Sequence, residues 1–201
     1  MTAITAITAQ NTVGVRAIHG VPPEMLKAQI QAVVEDIGVD AVKIGMLHSA
    51  VRVLVDELFG LACVITPNLD EAELFLNRKI TGIDALETAA SQLLSLGAQA
   101  VLLKGGHLQG NEVVDVMVQP GQATLRLASQ RIDSRNVHGT GCTLSSAIAA
   151  HLAFGLDLAQ AVTKARNYVL GAIAAGAGVH TGQGHGPLNH GYAPRPMQKL
   201  L

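Results

Sequence analysis

Short apolar segments with strand character alternate with longer segments of helical spacing along most of the 201-residue chain. This alternation is typical of βαβ units, in which helices cover both faces of a parallel sheet. The sequence therefore predicts an α/β domain with a mainly parallel central sheet. The predicted strands are 3–9, 39–44, 62–66 and 100–104, and the predicted helices are 22–37, 49–58, 68–76 and 84–96.

The C-terminal part of the chain has a different pattern. Two strand-like segments, 113–118 and 123–127, flank the pair Pro120-Gly121, which predicts a hairpin at the edge of the sheet. Two Ala-rich helices are then predicted over 143–154 and 158–174, with a turn at Gly155.

The composition narrows the function classes. Hydrophobic residues make up 49% of the chain and charged residues 14%, enough apolar material for one sizeable core. The formal net charge of -1 and the aromatic content of 2% argue against a nucleic-acid-binding or membrane-surface protein. No apolar stretch reaches the ~18 residues of a membrane helix. We expect a soluble, cytoplasmic protein.

Two cysteines cannot form a framework of several disulfides, which favours a reducing compartment. Cys63 lies in a predicted strand, where a free cysteine is usually a small buried hydrophobe. Cys142 lies at the start of a predicted helix, where the field favours the thiolate, so it is a candidate base or nucleophile.

The segment from His138 to Thr143 is the strongest local signal. Gly139 and Gly141 permit a tight turn whose amides, with that of Thr140, can face a phosphate at a helix N-terminus. A glycine-rich loop before a helix is also often only a turn.

Lys104 ends a predicted strand and precedes two glycines, which would let its ammonium group approach phosphate oxygens as a point charge. The alternative is a solvated surface lysine.

Several segments, in order, resemble the hydroxymethylpyrimidine and phosphomethylpyrimidine kinases of thiamine biosynthesis, members of the ribokinase-like superfamily. The resemblance implies a three-layer α/β/α fold. It also implies that ATP phosphorylates 4-amino-5-hydroxymethyl-2-methylpyrimidine and then converts the monophosphate to the pyrophosphate. The matching segments are 8–12, 43–47, 66–69 with Glu71, 102–107, 138–145 and 184–190.

The resemblance also implies roles for single residues. Cys142 stands where most ribokinase-like enzymes have an aspartate that takes the proton of the attacking hydroxyl, and the pyrimidine kinases likewise have cysteine. Gln10 stands where the family has a glutamine that pairs with the aminopyrimidine edge, and Met46 where an apolar side chain packs on the ring. Each also has a structural alternative: Gln10 as a polar residue at a strand end, Met46 as plain core.

Asn68 and Glu71 have the Asn-x-x-Glu spacing that ribokinase-like enzymes use near Mg²⁺ and phosphate, commonly through water. The structural alternative is an N-cap pair, in which the Asn68 side chain caps a helix and the Glu71 side chain, at the third helical position, accepts from the Asn68 amide. Both functions are compatible.

The sequence departs from the family pattern in two places. It starts without the family's first strand and Gly-rich segment, and between about 58 and 63 it lacks an internal strand, loop and helix. Strands without neighbours leave unpaired edges, which favours a homo-oligomer. A pyridoxal-type kinase and a non-catalytic ligand-binding relative remain alternatives to a single pyrimidine kinase domain over 1–201.

Overall fold

The computed structural model describes residues 1–45, 55, 59–194 and 196. The described residues form two compact units, one from Met1–His48 and Ile132–Leu201, the other from Ser49–Arg131. The elements in chain order are β1 (Ala6–Gln10), β2 (Val15–Gly20), α1 (Pro23–Asp36), α2 (Leu69–Leu76), α3 (Asp84–Leu94), β3 (Val101–Leu103), β4 (Glu112–Val118), β5 (Leu125–Gln130), α4 (Thr140–Ala153) and α5 (Leu158–Gly176).

The first unit begins with an antiparallel hairpin of β1 and β2, a strand pair of which the sequence predicted only β1. The side-chain oxygen of Asn11 accepts hydrogen bonds from the amides of Val13 (2.9 Å) and Gly14 (3.1 Å) and so closes the turn. Helix α1 follows, with proline in its first turn as predicted.

The same unit contains the helix pair α4 and α5, which pack against each other. Helix α5 starts at an aspartate cap, since Asp157 Oδ1 accepts from the amide of Gln160 at 2.8 Å. Its buried face carries small residues at helical spacing, which lets the two helices approach closely. These buried residues include Ala161, Ala165 and Ala172, each 0% exposed.

The second unit is built on the antiparallel sheet β3-β4-β5. Strands β4 and β5 form the predicted hairpin around Pro120-Gly121, with Val113 paired to Ser129 and Met117 to Leu125. Helix α3 covers the sheet, and side chains from helix and sheet form one core. Its members include Leu86, Leu93, Val101, Leu103 and Val116.

The predicted mainly parallel sheet is not what the described strands form, because both sheets are antiparallel. Residues 39–44 form no strand, and Val42 and Ile44 are 71% and 54% exposed. Segment 62–66 makes only one parallel bridge, Ile65 to Val101. An apolar segment becomes a strand only where a neighbour presents backbone partners, and among the described residues segment 39–44 meets none.

Two further predictions concern residues 49–63. Cys63 is exposed and lies outside any strand, so the prediction of a buried strand cysteine is wrong. It fails because its segment joins the sheet at Ile65 alone. The helix predicted over 49–58 lies outside the described residues, of which this stretch contributes only Val55. No described helix is long and apolar enough to cross a membrane.

Candidate functional site

The glycine-rich loop lies at the N-terminus of α4. Gly139 adopts a left-handed conformation with φ 85°, and the helix starts at Thr140, three residues earlier than predicted. The Thr140 amide donates to Val137 O (3.3 Å) and the Thr143 amide to Gly139 O (2.8 Å). The amides of Gly141 and Cys142, between them, have no acceptor among the described residues. Free amides at the positive end of a helix are suited to bind an anion.

Cys142 lies in the first turn of α4 and its side chain is exposed. The thiol is therefore accessible from solvent, and the amide of the same residue is one of the two without an acceptor among the described residues. The geometry places an exposed sulfur and two free hydrogen-bond donors within one helical turn.

Gln10, at the end of β1, lies against this loop. Its Nε2 is 3.2 Å from Nε2 of His138, the residue directly before Gly139. The structure thus brings together two candidates that the sequence separates by more than a hundred residues. The sequence analysis gave His138 no role of its own, because nothing in the sequence indicates its contact with Gln10.

The C-terminal segment 184–187 holds both sides of this arrangement. The amide of His185 donates to Thr12 O (3.0 Å), and the amide of Gly184 lies 3.3 Å from Thr12 Oγ1. On the other side, the amide of His138 donates to Gly186 O at 3.1 Å. The two glycines of this segment have no room for a side chain, since a Cβ on Gly184 would overlap the carbonyl of Thr12 and one on Gly186 would overlap Oδ1 of Asn136. Three of the six matching segments therefore meet in the first unit.

In the second unit, Asn68 and Glu71 form a reciprocal capping box at the start of α2. Asn68 Oδ1 accepts from the amide of Glu71, and Glu71 Oε2 accepts from the amide of Asn68, both at 2.8 Å. The predicted N-cap pair is confirmed. Among the described residues, no cluster of three or more His, Cys, Asp or Glu could hold a metal ion.

Lys104 directly follows β3 and lies beside the start of α2, since its amide donates to Pro67 O at 3.0 Å. The next amide, of Gly105, donates to Oδ1 of Asp115 at 3.0 Å. Gly105 is buried, and a Cβ there would overlap the carbonyl oxygen of Val114. The first of the two glycines after Lys104 is therefore required by packing.

Asp115 was missed by the sequence analysis. It is 7% exposed in the middle of β4 and fixes the backbone immediately after Lys104. The available signal was a single carboxylate within the apolar run Val113–Val118. A buried charged residue needs hydrogen-bond partners, so its position predicts a backbone contact.

The loop that follows is held by Arg131. Its guanidinium donates to the carbonyl oxygens of Gly106, Leu108 and Gly110. Within this loop, His107 Nδ1 lies 3.2 Å from Oδ2 of Asp70, so the loop also contacts α2.

The candidate site residues fall into two sets, Gln10 with the loop 139–142 and Lys104 with Asn68 and Glu71. Met46 lies outside the described residues.

The phosphomethylpyrimidine kinase family model matches this chain over residues 1–53 and 48–189. The chain belongs to this family. It is 42% identical to the hydroxymethylpyrimidine/phosphomethylpyrimidine kinase of Rhizobium meliloti, over 93% of this chain and 84% of that protein. That alignment runs over 224 residues, more than the 201 of the chain, so it includes positions at which this chain has no residue.

Solved structures of vitamin kinases share the α/β fold of this family member. The ADP complex of Bacillus subtilis pyridoxal kinase is 29% identical, with a TM-score of 0.87 over 96% of this chain and 86% of that chain. The phosphomethylpyrimidine kinase of Clostridium difficile 630 is 34% identical, with a TM-score of 0.70 over 86% of each chain.

Proposed function

We propose that this chain transfers the γ-phosphoryl group of ATP to the hydroxymethyl group of 4-amino-5-hydroxymethyl-2-methylpyrimidine, and a second one to the resulting monophosphate, in thiamine biosynthesis. The observation that carries the proposal is the first turn of α4. There an exposed thiol lies beside two amides that have no acceptor among the described residues, and the loop just before this turn contacts Gln10 through His138, in a chain of the phosphomethylpyrimidine kinase family. The ADP complex of the Bacillus subtilis relative supports ATP as the donor.

The reaction places two demands on the loop. The substrate oxygen attacks the γ-phosphorus, the bond from that phosphorus to the β-γ bridging oxygen breaks, and ADP leaves. The free backbone amides of Gly141 and Cys142 would bind phosphate oxygens, where the N-terminal field of α4 favours negative charge. Of the predicted cradle residues, Gly139 and Thr140 would shape the turn, because the Thr140 amide already donates to Val137 O. The Cys142 thiolate would accept the hydroxyl proton and become a thiol. In the second round the phosphate oxygen of the monophosphate attacks another ATP.

Gln10 would recognise the pyrimidine. A primary amide offers one acceptor and two donors, so it can pair with an amino group and the neighbouring ring nitrogen together. The side chain of Gln10 is exposed at the end of β1 and is available for such pairing. We retain Met46 as the apolar residue against the ring.

In the second unit, the ammonium group of Lys104 would contact phosphate oxygens. Mg²⁺ would be held beside Asn68 and Glu71 through water, since Asn68 Oδ1 and Glu71 Oε2 each accept a backbone hydrogen bond in the capping box. Mg²⁺ keeps several of its waters in proteins, so such an arrangement suits its chemistry. The ion would neutralise charge on the transferring phosphate groups.

We also propose that the chain is one ribokinase-like kinase domain that lacks an internal segment of its family. The two-part family match and an alignment longer than the chain support this. The matched parts overlap at 48–53, which favours a gap somewhat before the predicted position of 58–63. The predicted three-layer α/β/α arrangement, the homo-oligomer and the cytoplasmic location stay part of this proposal.

Product analysis tests the function. The purified chain is incubated with Mg²⁺, ATP and the aminopyrimidine alcohol, and mass spectrometry follows the monophosphate and then the pyrophosphate. Pyridoxal is offered in parallel, since the likeness to Bacillus subtilis pyridoxal kinase makes that alcohol the second candidate. If only pyridoxal is phosphorylated, the proposed substrate changes from the pyrimidine to vitamin B6. If neither alcohol is phosphorylated, the proposal is overturned.

A further inference from the structure

We propose that His138 is a positioning residue that fixes the orientation of the Gln10 amide and so selects a ring edge with an amino donor beside a nitrogen acceptor. This inference rests on the proposed function and deepens it. The observation behind it is the 3.2 Å contact between Nε2 of Gln10 and Nε2 of His138.

The chemistry of the two groups sets the direction of this hydrogen bond. An amide nitrogen only donates, so Nε2 of His138 must be the acceptor, and the neutral ring then carries its proton on Nδ1. The reverse orientation of Gln10 would put Oε1 at this position and would need a proton on Nε2 of His138. The tautomer of His138 and the orientation of Gln10 are therefore coupled.

This orientation leaves the right groups of Gln10 for an aminopyrimidine. Paired recognition uses the amide oxygen and the N–H on the same side of the amide. The other N–H points away from that pair, and it is the one available to His138. With its remaining donor satisfied, the amide has one preferred orientation, in which Oε1 accepts from the amino group and the N–H donates to the ring nitrogen.

The backbone around His138 is fixed independently of any ligand. Its amide donates to Gly186 O at 3.1 Å. Two residues earlier, the side-chain nitrogen of buried Asn136 donates to the carbonyls of Gly176 and Val179, both at 2.6 Å. The backbone that carries the His138 imidazole is therefore anchored both to the end of α5 and to the C-terminal segment.

The partner of His138 is anchored to the same segment. Thr12, two residues after Gln10, accepts the amide of His185 at 3.0 Å. Segment 184–187 thus connects the end of β1 to the strand-like segment before Gly139, through backbone hydrogen bonds on both sides. Such a support holds a recognition side chain in place before the substrate arrives, which reduces the entropy lost on binding.

Two substitutions separate a positioning role from a structural one. His138→Leu removes the acceptor, whereas His138→Gln keeps one at a similar distance from the backbone. We expect the KM for the aminopyrimidine alcohol to rise about two- to tenfold in His138→Leu, the range that a net hydrogen bond accounts for. His138→Gln should restore it, and the KM for ATP should change little in either variant.

An analogue with a carbonyl in place of the amino group reverses donor and acceptor on the ring edge. The wild-type protein should discriminate against this analogue, and His138→Leu should lose part of that discrimination. The control is His180→Leu, since His180 is exposed and its side chain makes no hydrogen bond among the described residues. Equal KM values in all variants, or a loss that His138→Gln does not restore, would overturn the specificity role.

A measurement without substrate keeps this inference separate from the proposed function. Nitrogen-15 NMR of the ligand-free protein should show the His138 ring with its proton on Nδ1, and the Gln10 side-chain amide signals should shift in His138→Leu. A proton on Nε2, or unshifted Gln10 signals, would overturn the positioning role even in an active kinase. If the wild-type protein phosphorylates no aminopyrimidine, the specificity role is overturned with the proposed function, while NMR still decides the positioning.

Discussion

Asn68 and Glu71 bind each other's backbone amides at the start of α2, with two hydrogen bonds of 2.8 Å. The pair is thus a complete capping box, and any role near Mg²⁺ is added to a structural one. These two roles can be separated because a capping box accepts glutamine as well as glutamate at its third position.

Glu71→Gln should keep the cap and lose the charge. We expect the free energy of unfolding to stay within about 0.5 kcal/mol of the wild type. Turnover should fall and require more Mg²⁺ for half-maximal rate, measured by Mg²⁺ titration of ADP release. The matched variant Asn68→Ala removes the cap and should cost about 1 kcal/mol in urea unfolding. An unchanged Mg²⁺ dependence in Glu71→Gln would remove Glu71 from the proposed metal environment.

The second prediction concerns Asp115. Its carboxylate is buried and accepts the amide of Gly105 next to Lys104. Asp115→Ala would leave a buried N–H without its acceptor, which costs about 1–3 kcal/mol. We expect a lower urea midpoint and a lower turnover, with both largely restored in Asp115→Asn because its side-chain oxygen still accepts. Wild-type stability of Asp115→Ala would show that this hydrogen bond does not hold the turn.

The third prediction concerns the close contact of Gly184 with the turn after β1. Alanine at this position would overlap the carbonyl oxygen of Thr12, which is backbone and cannot rotate away. Forcing an extra methyl group into such a site costs about 1–3 kcal/mol, so Gly184→Ala should unfold at lower temperature. Gly178→Ala is the control, because nothing lies within 4 Å of a Cβ there. Equal melting temperatures would contradict the packing described for segment 184–187.

The fourth prediction is a pH dependence at Glu73. The pKa of Glu73 is lowered by the hydrogen bond from Lys79 and then by the one from the amide of Ile80. Since the folded pKa lies below the ordinary 4.5, the stabilisation is present above pH 4.5 and is lost as the pH falls through the folded pKa. The stability difference between wild type and Glu73→Gln should therefore shrink as the pH falls below 4.5.

The Lys79 side of this pair has the opposite sign. Its pKa is raised by Glu73, so its contribution is present below pH 10.5 and is lost as the pH rises through the folded value.

Urea midpoints measured across the acid range give the Glu73 effect. The control is Glu112→Gln, an exposed carboxylate with no partner among the described residues. A Glu73→Gln difference that does not shrink in acid would contradict the ion pair.

The elements with a complete local signal were predictable from the sequence. The capping box, the hairpin around Pro120-Gly121 and the helix that follows Pro22 each carry their own start or turn residues, and the structure has all three. The parallel sheet was predicted from alternation alone. That pattern indicates which segments can form strands, but strand pairing depends on a neighbour far away in sequence.

The candidate site divides in the same way. Gly139, Thr140 and Cys142 were predictable because a turn and a helix start are local features. The contact of Gln10 with His138 was not predictable from the sequence. It depends on segment 184–187, whose backbone hydrogen-bonds both to the turn after β1 and to the segment before Gly139. Asp115 had a visible signal, a carboxylate in an apolar strand, but its partner Gly105 emerges only from the pairing of β3 with β4.

The most direct test of the proposed site compares the two cysteines. Cys142 lies in the first turn of α4 and Cys63 does not, yet both are exposed, so alanine should leave the fold intact in either case. Mass spectrometry with Mg²⁺, ATP and the aminopyrimidine alcohol should show the product formation rate reduced about 10²–10⁴-fold in Cys142→Ala. Cys63→Ala should match the wild type. Wild-type rates in Cys142→Ala would contradict the assignment of Cys142 as the base.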